Sequence, residues 1–141
     1  MNTLIVIIGP TGIGKTKVAI EVAEHFNIPI INADSRQMYA EIPIGTAAPT
    51  QEQQARVKHF FVGNLHISDY YNASMFEADV MALLNDMFLE NPIALMSGGS
   101  MMYIDTVCNG IDDIPTIDDT TRKIMKERLE TEGLEALVDE L

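Results

Sequence analysis

Leu4-Ile5-Val6-Ile7-Ile8-Gly9-Pro10-Thr11-Gly12-Ile13-Gly14-Lys15-Thr16 decides the fold. Residues 4–8 are aliphatic without a break, the pattern of a strand covered on both faces. Residues 9–16 place four residues between Gly9 and Gly14 and then add Lys and Thr, which is the spacing of a phosphate loop. The chemistry follows from the residue types. Glycines let the backbone curl until successive N–H groups point at one anion, and the helix that follows turns its positive end toward it. Lys15 adds a mobile charge for the terminal phosphate, and the Thr16 hydroxyl can join the shell of a magnesium ion. Working outward, Val18, Ala19, Val22, Ala23 and Phe26 recur at helical spacing, and Asn27 stops that helix. Residues 28–33 then read as a second buried strand ending at Asp34. This strand–loop–helix–strand unit predicts an α/β fold: a P-loop NTPase-like parallel sheet flanked by helices.

Further along, Pro43, Gly45, Pro49 and Gly63 break every period between residues 35 and 73. Ser74-Met75-Phe76-Glu77 has the form of a capping box, and Val80, Leu83, Leu84, Met87 and Phe88 share one face of the helix behind it. Asn91-Pro92 ends that helix. Residues 93–96 read as a third buried strand, followed by the turn Ser97-Gly98-Gly99-Ser100 and a short helix from Met101 to Asn109 that stops at Gly110. The Met101-Met102 pair and Cys108 read as apolar packing. Composition then shifts, with ten acids and four bases in residues 110–141. Asp118 or Asp119 is placed to cap a helix that Gly133 ends. The division expected is a P-loop core over residues 1–111 and the beginning of a helical insertion over residues 112–141.

Composition excludes several classes. The chain has 141 residues, 47% of them hydrophobic and 21% charged, which fits one ordinary globular domain. Its formal charge of −12 is incompatible with a general basic surface for gripping nucleic acid. No apolar run is long enough to span a membrane, no basic leader precedes residues 4–8, and a lone cysteine forms no internal disulfide. The expectation is a cytoplasmic monomer without membrane contact. The third strand ends in Met96-Ser97, where nucleotide triphosphatases usually place a magnesium-binding Asp. Asp34 is instead the acid at a strand's carboxyl end, the edge where open parallel sheets hold their ligands.

Asp34-Ser35-Arg36-Gln37-Met38-Tyr39, followed by Ile44-Gly45-Thr46-Ala47-Ala48-Pro49-Thr50, closely resembles the tRNA dimethylallyltransferase family. Val57-Lys58-His59-Phe60, Ser97-Gly98-Gly99-Ser100-Met101-Met102-Tyr103 and the stretch from Gly110 to Pro115 continue the resemblance in the same order. It implies a P-loop fold that binds dimethylallyl diphosphate in place of a nucleotide triphosphate. The group would pass to the N6 amine of the adenine 3′-adjacent to the anticodon in tRNA. By the same resemblance Gly9, Pro10, Thr11, Gly12, Ile13, Gly14, Lys15 and Thr16 would hold the diphosphate, with Mg2+ near Thr16. Asp34 would take the amine proton, and Asp34, Ser35, Arg36, Gln37, Ser100 and Arg122 would contact the tRNA. Ser100 stands where the family usually has Thr. Family members run to about twice this length, so the resemblance is to the catalytic-core half.

Other roles stay open from the residues alone. Asp34 could be a magnesium-shell or capping group, Ser100 a helix cap, and Arg122 a solvated residue paired with nearby acids. A relative acting on a free adenine nucleotide, a nucleotide-binding module and a small-molecule kinase are the competing functions. Turnover of ATP without tRNA, or prenylation of AMP, would distinguish them.

Overall fold

In the computed structural model, which describes residues 1–112 and 117–141, the chain divides into two units, Met1–Ile111 and Asp112–Leu141. The first unit is built on a four-stranded parallel sheet in the order β1-β4-β2-β3. Its strands are β1 (Thr3–Ile8), β2 (Ile30–Asn32), β3 (His59–Phe60) and β4 (Ile93–Gly98). Its helices are α1 (Lys15–Phe26), α2 (Gln51–Arg56), α3 (Ala73–Glu90) and α4 (Met101–Asn109).

Both sheet faces are apolar, and the period of two along each strand sorts the residues between them. Ile30 and Leu95 pack with Ala19, Ile20 and Ala23 of α1. The alternate residues Ile31, Ala94 and Met96 pack with Phe76, Val80 and Leu84 of α3 and with Ile104 and Val107 of α4. The continuous aliphatic run in β1 therefore serves two cores: Ile5 and Ile7 join the first, Leu4 and Val6 the second.

β4 runs between β1 and β2, with Ile8 beside Gly98 and Asn32 beside Ser97. This register brings the carboxyl ends of three strands together, and everything that follows depends on it. β4 continues through Ser97 and Gly98, two residues beyond the expected end at Met96.

Several local expectations need correction. Asn72, not Ser74, caps α3, its side chain accepting from the Met75 N–H at 3.0 Å. Asn is among the strongest N-caps, and placing it there starts the helix at Ala73. Residues 35–73 hold two elements with no visible period, α2 and the two-residue β3. Met101, Met102 and Cys108 are exposed on α4, because Ile104 and Val107 make its buried face. Asn27 ends α1 in a left-handed conformation, φ 53°, as expected.

Among its described residues the second unit holds α5 (Asp119–Val138), which Asp118 caps by accepting from the Thr121 N–H at 2.7 Å. That bond holds the Asp118 carboxyl below its usual range. At Gly133 the backbone leaves helical geometry, φ 84° and ψ 167°, where the sequence places the stop. Arg128 pairs with Glu132 one turn along the same helical segment and, across this break, with Glu140. The resemblance through Pro115 lies partly outside the described residues. No helix among the described residues is long and apolar enough to cross a membrane.

Candidate functional site

The loop after β1 curls back through Gly12 and Gly14 at φ 89° and 95°, a region that residues with a Cβ rarely adopt. Gly14 is the N-cap of α1, so the free amides of that helix's first turn face the loop. Lys15 turns back along the loop, its Nζ donating to the Pro10 carbonyl at 2.7 Å. That contact is exposed, so the ammonium can exchange it for an anion.

The loop opens onto a cavity of about 260 Å³. Thr11, Gly12, Gly14, Lys15 and Thr16 line one part, Asn32, Asp34, Gln37, Ser97 and Gly98 another, and Ala47, Pro49 and His59 a third. A larger cavity of about 620 Å³, around Ile28, Pro29, Lys58 and Asn91, lies among residues that precede the strands, far from the loop's chemistry. Strand carboxyl ends are where open parallel sheets bind ligands, so the smaller cavity is the functional candidate.

Asp34 follows β2 directly. Its Oδ1 accepts from the Arg36 N–H at 3.1 Å, a local bond that fixes the carboxylate and leaves Oδ2 for a ligand. Gly99 packs beside it: a Cβ there would sit 3.6 Å from both Asp34 Oδ2 and the Gly9 carbonyl. The Ser97–Ser100 turn thus bridges the start of the phosphate loop and the acid.

Ser100 occupies the N-cap position of α4 without capping it through its side chain. Its Oγ instead accepts from the Ser35 N–H at 2.8 Å and donates to Ser35 Oγ at 3.0 Å, while its own N–H donates to the Ala33 carbonyl. Arg36 contributes its backbone to the Asp34 turn. Gln37 lines the cavity, but its Nε2 donates to the carbonyls of Thr46 and Ala47 at 3.1 and 3.2 Å. Any contact it makes with a base therefore falls to Oε1, an acceptor. Arg122 lies in the second unit, where its Nε donates to the Ile117 carbonyl at 3.4 Å.

Asn32, Ala47, Pro49 and His59 line the cavity without having been singled out individually for the site. The buried Asn32 donates through Nδ2 to the carbonyl of Phe61, which is left-handed at φ 61°. Half-buried His59 rests Nδ1 on the Val57 carbonyl at 2.8 Å, so Nδ1 carries the proton. Burial holds this imidazole below its usual pKa and keeps it neutral at pH 7. Among the described residues no group of three or more His, Cys, Asp or Glu could hold a metal ion.

Comparison with known proteins adds a family context. A family model described as IPP transferase matches residues 37–141. The tRNA dimethylallyltransferase 1 of Phocaeicola vulgatus is 56% identical over 140 residues, covering 99% of this chain and 47% of that protein. The full-length tRNA isopentenylpyrophosphate transferase from Bacillus halodurans superposes with a TM-score of 0.76 at 26% identity, covering 99% of this chain and 46% of that structure. A eukaryotic dimethylallyltransferase acting on tRNA also gives 0.76, at 28% identity, over 89% of this chain and 32% of its own. The chain spans about half the length of the curated relatives it matches.

Proposed function

Because the chain belongs to the IPP transferase family, we propose that its cavity serves the transfer of a dimethylallyl group from dimethylallyl diphosphate to the N6 amine of the adenine 3′-adjacent to the anticodon in tRNA. The observation that carries the reading is one cavity lined by both the phosphate loop and Asp34. Such a transfer needs a held leaving group at one end and a proton acceptor at the other. β4 ends in Ser97 and Gly98 with no acid, which disfavours the magnesium arrangement of a nucleotide triphosphatase.

In this reading the C1–O bond of the dimethylallyl diphosphate breaks and the diphosphate keeps the electron pair. The loop amides and Lys15 Nζ, released from Pro10, hold that developing charge. The amine lone pair forms the C–N bond, and Asp34 Oδ2 takes the proton. Gln37 Oε1 suits the amine's remaining N–H. Mg2+ fits the donor set in a limited way: Thr16 Oγ1 and the Asp34 carboxylate are oxygen donors on the cavity, and such ions take most of their ligands from phosphate and water. When bound, the ion neutralises charge on the departing diphosphate.

Two outcomes test the reading. Lys15→Ala weakens dimethylallyl diphosphate binding by roughly 10- to 150-fold, the worth of a charged hydrogen bond. Equal affinities in a calorimetric titration would sink the phosphate-loop assignment. The 141-residue chain binds the diphosphate yet modifies an anticodon stem-loop poorly, since its charge of −12 offers RNA little attraction. Joining it to the C-terminal half of the Phocaeicola vulgatus relative should yield a product heavier by one dimethylallyl group, read by mass spectrometry. An unmodified stem-loop from the joined protein would reject the function.

A further inference from the structure

We infer that Gln37 is a positioning residue for the diphosphate: it clamps residues 42–49 as a wall of the phosphate-loop cavity. This inference rests on the diphosphate reading above. Two carbonyls, those of Thr46 and Ala47, face the same end of the Gln37 amide, so that end must be the NH2 group. Ala47 is held at φ 51°, which a residue with a Cβ leaves unless its surroundings impose it.

The turn is otherwise closed on itself. Thr46 Oγ1 donates to the Ile42 carbonyl at 2.9 Å, and the Ala48 N–H donates to the Pro43 carbonyl at 3.0 Å. Those bonds shape the turn but do not attach it to the sheet. Pro49 at the turn's end is buried and bonded by Gln54, and the tip of the turn is tied to the Asp34 side through Gln37, whose backbone is itself pinned on both sides. Its N–H donates to the Asp34 carbonyl at 3.2 Å, and its carbonyl accepts from the Gly63 N–H at 3.0 Å. One residue therefore ties together the Asp34 turn, the segment after β3 and the turn that brings Ala47 and Pro49 to the cavity. Without the amide donors, Ala47 relaxes toward negative φ and the wall shifts away from the phosphate loop.

The test uses the 141-residue chain with dimethylallyl diphosphate as the probe. Gln37→Met keeps the side chain's length and removes both donors. Affinity should fall roughly tenfold, the worth of two ordinary hydrogen bonds. The backbone amide resonances of Thr46 and Ala47 should move in the absence of any ligand. Adding Ala47→Gly to Gln37→Met should recover a large part of the affinity, because glycine holds a positive φ without a clamp. A residue of merely general structural importance would show no such rescue. Gln37→Leu repeats the measurement should the methionine variant fail to fold. Unchanged diphosphate affinity in either variant, or a double variant as weak as the single one, would overturn the clamp. Failure of the unsubstituted chain to bind the diphosphate would remove the phosphate-loop reading, and this inference with it.

Discussion

Gly98→Ala lowers the melting temperature of the chain by roughly 10 °C, the shift expected for a cost of about 3 kcal/mol in a domain of this size. A Cβ at Gly98 would stand 2.1 Å from the carbonyl oxygen of Ala33 and 2.3 Å from its carbon. Both atoms are backbone, so no side chain can swing aside, and β2 and β4 must part. They would part where they are tied, at the bond from the Ala33 N–H to the Ser97 carbonyl at 2.9 Å and the one from the Ser100 N–H to the Ala33 carbonyl at 3.1 Å. Gly99→Ala is the internal control. Its Cβ would meet nothing nearer than 3.6 Å, so a change of roughly 1 kcal/mol or less is expected. Thermal melts followed by circular dichroism compare the two, and similar midpoints would refute the close approach of the strand ends.

That close approach is also where reading the sequence reached its limit. The phosphate-loop unit is legible because its information is local: an aliphatic run, fixed glycine spacing and a helical period follow one another within residues 4–26. The loop and Asp34 could be picked out by type and position, and Ser100 by its place in a motif that resembles the family's. Their convergence rests on β4 lying between β1 and β2, a pairing across more than sixty residues that no local period encodes. Residues 35–73 resisted because β3 is two residues long, too short to alternate. One signal there was readable. Thr50 and Gln53 form a reciprocal capping box at the start of α2, with both bonds present. The apparent box at Ser74 lost to Asn72 because two cap residues stood close together and only one could begin the helix. His59 could be noticed as part of a motif, but its half-buried place on the cavity comes from β3 pairing with β2. The amide of Gln37 shows the converse: the family resemblance implied a tRNA contact, while the fold commits its donors to Thr46 and Ala47.

Asp34→Asn, in the chain joined to the C-terminal half of its relative, slows dimethylallyl transfer by about 10²–10⁴-fold, the contribution of a positioned general base. Asparagine retains the Oδ1 acceptor for the Arg36 N–H, so the turn after β2 keeps its shape. It replaces Oδ2 with an NH2 group, which donates where the reaction needs an acceptor and takes no proton at neutral pH. Diphosphate affinity should barely change, because the loop amides, Lys15 and Thr16 are untouched. A magnesium role predicts a different pattern. Losing a carboxylate from the ion's shell would weaken diphosphate binding and make it depend more steeply on magnesium concentration. Single-turnover rates at saturating stem-loop, with diphosphate titrations at two magnesium concentrations, distinguish the two. A slow transfer with unchanged titrations assigns Asp34 to the proton, and steeper titrations assign it to the ion. A transfer rate near that of the unsubstituted protein would leave Asp34, the one carboxylate among the described residues lining this cavity, without a part in the chemistry.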